Sequence, residues 1–139
     1  MICQIYPDYK IQVSGESNVM IRGDETRLEQ VILNYMTNAI KYSPDVREME
    51  LHSYVQHNFL IVSVKDFGIG IPKENQEDVF RKFYRVEDTA QRFQGLGVGL
   101  YICSEIIRRH NGKCWLESEV GKGSTFYFSL PIANPIAEN

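Results

Sequence analysis

At 139 residues the chain has about the length of one domain. Its 43% hydrophobic and 24% charged content supports a buried core and excludes an intrinsically disordered polypeptide. Fifteen Lys and Arg against 18 Asp and Glu leave a formal net charge of -3, so no general attraction to nucleic acid is expected. Apolar runs such as Phe59-Leu60-Ile61-Val62 are far too short to span a bilayer, and no signal-peptide pattern opens the sequence. Cys3, Cys103 and Cys114 are odd in number and lack Cys-x-x-Cys spacing, which argues against a disulfide framework or a zinc site. The expectation is a cytoplasmic domain, not itself embedded in a membrane.

In chain order, Lys10–Val13 and Val19–Arg22 read as short strands around a Gly15-Glu16-Ser17-Asn18 turn. Asp24 is placed to cap a helix that runs to about Tyr42 and stops at Ser43-Pro44. Met49–Val55 and Phe59–Asp66 alternate apolar and polar residues about Gln56-His57-Asn58, a hairpin signature. Pro72–Phe80 reads as a short helix. Residues 81–95 have no clear period and carry four basic against two acidic residues. A further helix starts near Gly97 or Gly99 and ends at His110-Asn111, with Gly112 as its C-terminal punctuation. Lys113–Glu117 and Thr125–Leu130 form a last strand pair, and the tail after Pro131 reads as loose. Strands and helices mixed without strict alternation point to an α+β, two-layer α/β sandwich: a mixed, mostly antiparallel sheet with helices on one face. The whole chain reads as a single domain with its core at about residues 10–131.

Seven of the ten glycines fall in three clusters, Gly68/Gly70, Gly95/Gly97/Gly99 and Gly121/Gly123, as expected where backbone is brought close to something. On the first helix, Asn34, Asn38, Lys41 and Tyr42 lie along one stripe, with Leu28, Ile32, Tyr35 and Ala39 on another roughly 110° around. Asparagine is a poor mid-helix residue. Two of them one turn apart either bond a neighbouring loop or turn amide oxygens towards a hard cation such as magnesium. Asp66-Phe67-Gly68-Ile69-Gly70 follows a strand. Its carboxylate suits either a helix cap near Lys73 or an acceptor for an exocyclic amine. Gly95-Leu96-Gly97-Val98-Gly99-Leu100 opens a helix, where unpaired N–H groups make an anion site or the glycines simply make a hinge. The basic stretch beside it has the character of a lid whose Arg85 or Arg92 meets phosphate. At its base Phe80, Phe83 and Tyr84 serve either the core or a partner. Gly121-Lys122-Gly123-Ser124-Thr125 is hairpin chemistry whose hydroxyls can reach a phosphate.

The order of these motifs is specific. Asn34-Tyr35-Met36-Thr37-Asn38-Ala39-Ile40-Lys41-Tyr42-Ser43-Pro44, Asp66-Phe67-Gly68-Ile69-Gly70-Ile71-Pro72, Phe80-Arg81-Lys82-Phe83-Tyr84-Arg85, Gly95 to Leu100 and Gly121 to Phe126 together resemble the catalytic ATP-binding domain of bacterial sensor histidine kinases, over about residues 10–131. The resemblance implies the Bergerat α/β sandwich, ATP and Mg2+ as cofactors, and a phosphoryl transfer in two-component signalling. It implies Asn38 as a magnesium ligand with Asn34 beside it, Lys41 on phosphate, Tyr42 along the purine or ribose, and Asp66 on the adenine amine. Gly68, Gly70 and Ile71 would line the base; Gly95, Leu96, Gly97, Val98, Gly99 and Leu100 would border the phosphates; Thr125 would add a hydroxyl. Asn34, Lys41 and Arg85 would be the catalytic residues, with Arg85 near the γ-phosphate.

Hydrolytic members of that superfamily generally carry glutamate where Asn34 stands. An amide is no general base at neutral pH, so Asn34 suits transfer to a protein side chain. His52-Ser53, His57-Asn58 and His110-Asn111 lack the acidic residue and proline that typically follow the family's acceptor histidine, and each reads as structural. The resemblance therefore implies an upstream dimerisation and acceptor domain in a longer, membrane-anchored parent, and a response-regulator receiver domain as indirect partner. An anti-sigma-factor-type serine kinase and a non-catalytic nucleotide-sensing module are the alternative readings.

Overall fold

The computed structural model describes residues 9–15, 19–43, 46–80 and 96–133. Five strands form one sheet: β1 (Lys10–Ser14), β2 (Glu48–Gln56), β3 (Phe59–Asp66), β4 (Lys113–Glu119) and β5 (Gly123–Pro131), in the order β1-β2-β3-β5-β4. Two α-helices, α1 (Glu25–Tyr42) and α2 (Leu96–Arg109), and a 3-10 turn, Lys73–Asn75, complete the described elements. Among the described strands only the β1–β2 pair is parallel; the other three pairs are antiparallel. This is the mixed, mostly antiparallel α+β architecture expected from the sequence.

Strand alternation explains where the core sits. Register pairs Val64 with Phe126, Val62 with Phe128, Phe126 with Leu116 and Phe128 with Cys114, so these side chains share one face. That face carries the helices: the Tyr35 ring of α1 lies 5.7 Å from Phe126 and 5.8 Å from Phe128. Val31, Tyr35, Met49, Val64, Leu100, Ile107, Phe126 and Phe128 are buried together. On the opposite face Trp115 stacks on Tyr127 at 5.1 Å and 3°.

Helix α1 begins as its sequence dictates. Asp24 accepts the Arg27 N–H at 3.2 Å, satisfying one of the donors orphaned at a helix start. His110 accepts the Asp24 N–H through Nε2 at 3.1 Å, while its Nδ1 lies 2.7 Å from the Ile106 carbonyl. His52 is held by Ser14 Oγ at 2.9 Å, and His57 is a left-handed turn residue with φ 53. All three histidines thus have structural places.

Several local expectations are corrected. Val19–Arg22 is not a strand paired with β1; Ile21 makes a single bridge to Ile132, and β1 runs parallel to β2 instead. Parallel strands require a crossover, and α1 supplies it. Pro72–Phe80 contains only a 3-10 turn, Lys73–Asn75, because the Gln76 amide is drawn to the carbonyls of Ile71 and Ser118. The tail is not loose immediately after Pro131: Ile132 N–H donates to Asn58 O at 3.1 Å and Ala133 N–H to Met20 O at 2.6 Å. At the end of α2 the left-handed residue is Asn111, φ 65, and not Gly112.

Gly112 is glycine for another reason. Its N–H donates to Ile107 O at 2.9 Å, and a Cβ there would collide with the Ser129 carbonyl of β5. Gly112→Ala must push α2 and β5 apart, so urea unfolding is expected to show a loss of about 2 kcal/mol. Unchanged stability would contradict the close approach.

Candidate nucleotide site

The buried face of α1 differs from the stripe predicted for it. Val31, Tyr35, Met36, Asn38, Ala39 and Tyr42 are the buried residues. Asn38 and Tyr42 therefore share the inward face with Val31 and Tyr35, while Leu28 and Ile32 are only partly buried against the core. Asn38 is 5% exposed, and its Nδ2 has no hydrogen-bond partner among the described residues. Asn34 is half-buried on the seam between helices, donating through Nδ2 to Cys103 Sγ of α2 at 3.5 Å. Burial pushes the Cys103 thiol up to about 12, so it stays protonated and neutral. Lys41 is exposed in the last turn of α1. Tyr42 lies in the core, its ring parallel to Phe126 at 6.5 Å, and so offers no open stacking platform.

The last residue of β3 is Asp66, 1% exposed. Oδ1 accepts N–H bonds from Gly68 at 3.0 Å and Ser124 at 3.2 Å. Oδ2 is buried with no partner among the described residues. Burial raises the carboxyl from 3.8 to about 6, against the lowering effect of the two amides. A buried polar atom without a partner is rare in folded proteins and asks for an explanation. One of two carboxylate oxygens is tied down, and the other meets no partner among the described residues.

The segment after Asp66 is fastened on both sides. Ile69 N–H donates to Tyr42 O at 3.1 Å, at the C-terminus of α1, and Gly121 N–H donates to Ile69 O at 2.9 Å. A Cβ at Gly68 would collide with the Tyr42 carbonyl, and one at Gly70, φ 76, with the Glu119 carbonyl. These glycines thus serve protein–protein backbone contacts, whereas the sequence had suggested passage beside a flat ring. Gly99 is the contrasting case: a Cβ there would meet nothing within 4 Å among the described residues. It lies one turn before Cys103 on the same face of α2, near the helix start.

The arrangement brings together Asp66, Gly68, Gly70 and Ile71 and ties them to the end of α1 at Tyr42, with Asn38 buried one turn before Tyr42 and Asn34 and Gly99 on the helical seam. Ile71 and Leu100 are fully buried. Leu96, Gly97 and Val98 form the first turn of α2. Arg85, Arg92, Gly95, Phe83 and Tyr84 lie outside the described residues. Thr125 is not brought to the cluster. It pairs with Lys65 and Glu117 on the face away from the helices, and Ser124 occupies the inward position beside Asp66. The signal was present in Ser124-Thr125-Phe126-Tyr127-Phe128: if the phenylalanines point inward, so does Ser124. Cys103, Ser118 and Gln76 were also missed, since their roles depend on contacts distant in sequence.

The open clefts of about 380 and 430 Å3 beside Arg109 and His110 sit at the other end of the helix pair. Arg27, in the first of them, is eleven residues from Asn38, or about 16 Å along α1. They contain neither buried unpartnered atom.

The residues fit an adenine nucleotide. An anionic, acceptor-only oxygen at a strand end suits an exocyclic amine, and a helix start suits phosphate. A test of the buried carboxylate is its linkage to folding. Because its folded value lies above the unfolded one, its contribution to stability is full below about 3.8 and is lost as pH rises through about 6. Asp66→Asn should therefore gain stability relative to the native chain between pH 4 and 7.5, by about 2–3 kcal/mol. A difference in urea midpoints that does not vary with pH would refute this.

Comparison with known proteins agrees with that geometry. Residues 23–134 match the family described as histidine kinase-, DNA gyrase B- and HSP90-like ATPase. The adaptive-response sensory kinase SasA of Thermosynechococcus vestitus is 40% identical over 114 residues, covering 81% of this chain and 30% of that protein. The sensor histidine kinase WalK of Bacillus subtilis is 40% identical over 119 residues, covering 84% of this chain and 20% of that protein. The full-length structure of ShkA in complex with AMPPNP superposes with a TM-score of 0.79 at 27% identity, covering 96% of this chain and 27% of that one. The chain thus spans less than a third of the length of these relatives. No described helix is long and apolar enough to cross a membrane. With its ordered motifs, sheet order and buried acceptor at a strand end, this chain belongs to the family of histidine kinase-, gyrase B- and HSP90-like ATPases.

Proposed function

We propose that the chain is the ATP-binding catalytic domain of a two-component sensor kinase, presenting Mg-ATP so that the γ-phosphoryl group passes to a histidine on a separate helical dimerisation domain. The observation that carries this reading is Asp66 Oδ2, buried and unpartnered while Oδ1 is held by two amides. The adenine amine is the donor that completes it. Relatives over most of the chain bear the names of sensory kinases, which favours this reading over the serine-kinase and sensing-module alternatives. On this reading, residues 1–139 form one domain, the acceptor helices belong to another, and a response-regulator receiver domain takes the phosphoryl group later.

Each residue has a defined task. Asp66 reads the base while ionised; protonated at acid pH, its Oδ2 becomes a donor and repels the amine. Asn38 and Asn34 would hold magnesium through their amide oxygens, a donor type this hard cation accepts. When bound, the metal neutralises charge on the β- and γ-phosphates. The start of α2 would offer backbone N–H donors to the phosphates, and Lys41 would supply a flexible positive charge at the rim. Asn34 cannot take a proton from water as a glutamate could, so bound ATP is preserved for transfer. Positioning and electrostatics then carry the chemistry.

Two experiments test this. Calorimetry with ADP and magnesium should show binding by the native chain and at least a tenfold loss for Asn38→Ala, with unchanged circular dichroism; equal affinity would remove Asn38 from the metal. Radiolabelled ATP should label a histidine on the helical domain of such a kinase mixed with this chain. Label that is lost in acid supports phosphohistidine, and acid-stable label on serine would overturn the histidine assignment.

A further inference from the structure

Ser118, in β4, joins three segments around Asp66. Its Oγ accepts the Ile71 N–H at 2.8 Å, donates to Gly123 O at 2.9 Å and lies 2.8 Å from Ser124 Oγ. A hydroxyl has one hydrogen and two acceptor positions. With that hydrogen given to Gly123 O and one acceptor position taken by Ile71, the Ser118–Ser124 contact can only be completed by the Ser124 hydrogen. Ser124 Oγ is thereby left with acceptor capacity alone. Ser124 sits on the same strand face as Asp66, and its N–H binds Oδ1 of that carboxylate. Gln76 Nε2 closes the arrangement, donating to Ile71 O at 2.9 Å and Ser118 O at 3.0 Å.

We infer that Ser118 is a positioning residue for base specificity: it fixes the direction of the Ser124 hydroxyl, so that the base-reading edge formed by Asp66 and Ser124 presents acceptors only. This rests on the adenine reading of the site. Such an edge favours a purine with an amine at position 6. It disfavours one with a carbonyl there, because two acceptors then face each other. Asp66 alone would leave a neighbouring hydroxyl free to rotate and donate to that carbonyl, which would blunt the discrimination. The polarity set by Ser118 closes this escape.

The probe pair is ADP and inosine diphosphate, which differ by amine against carbonyl at position 6 and by a bare nitrogen against N–H at position 1; purine riboside diphosphate, with the bare nitrogen and no substituent at position 6, separates the two changes. Calorimetry on the whole chain with magnesium should show the native protein preferring ADP. In Ser118→Ala the Ser124 hydroxyl is released, and the preference should shrink by about tenfold, mainly through tighter relative binding of inosine diphosphate. Ser118→Thr keeps the hydroxyl and should restore the preference. A merely structural role would weaken both nucleotides equally. An unchanged affinity ratio in folded Ser118→Ala would overturn the inference while leaving the adenine reading intact. Should Ser118→Ala not fold, Ser124→Ala replaces it, and an unchanged ratio there would equally overturn the inference. Absence of ADP binding by the native chain would overturn the adenine reading and this inference together.

Discussion

A carboxylate taken out of water with only one of its oxygens compensated is the constraint around which this molecule is arranged. Asp66 is 1% exposed, and two backbone amides hold Oδ1. Burial disfavours the ionised form and raises the carboxyl to about 6, against the lowering effect of the two amides. Near neutral pH the group remains ionised and under-solvated, so a donor brought from outside gains more there than it would against a hydrated carboxylate. The unmet hydrogen bond lowers the stability of the empty fold and raises the affinity of the site for an amine.

Maintaining such a group requires that nothing nearby relax to satisfy it. The segment from Asp66 to Ile71 is accordingly bound by backbone contacts to the end of α1 on one side and to the β4–β5 hairpin on the other. Gly68, Gly70 and Gly123 are the points where these backbones meet, each with a carbonyl where a side chain would begin. Removing the methyl groups lets three segments close on one another, and the closure holds the carboxylate still. Glycine acts here at one remove from the ligand, by making the wall rigid.

Much of this was legible in the sequence. Period-2 alternation marked β2 and β3, and the Asp24 cap with Ser43-Pro44 bounded α1. Motif order identified the catalytic fold before any coordinates. The errors share a cause. The place of Val19–Arg22 was decided by a crossover through α1, and the 72–80 segment by a glutamine side chain reaching carbonyls of Ile71 and Ser118. Local sequence carries neither fact. Thr125 is a different case: the alternation of Phe126 and Phe128 turns Ser124 inward and Thr125 to the opposite face. Tyr42, expected on the purine or ribose, is instead stacked on Phe126. An aromatic residue at the end of a helix satisfies both readings by composition, and only the packing separates them.

The proposed transfer to a protein side chain fits the chemistry of the buried polar groups. Asn38 and Asp66 are buried polar groups with unmet hydrogen-bonding capacity, whereas Asn34 has its amide nitrogen engaged by a neutral thiol that burial keeps protonated. None of the three is a base poised to activate water: Asn34 and Asn38 are amides, and Asp66 is turned to the base-reading edge. On the proposed function, a site in which none of these three described groups takes a proton from water binds nucleotide without consuming it, and the acceptor brings its own nucleophile and its own means of losing a proton. On that reading the reaction is conditional on docking, so control of the encounter between two domains becomes control of the chemistry.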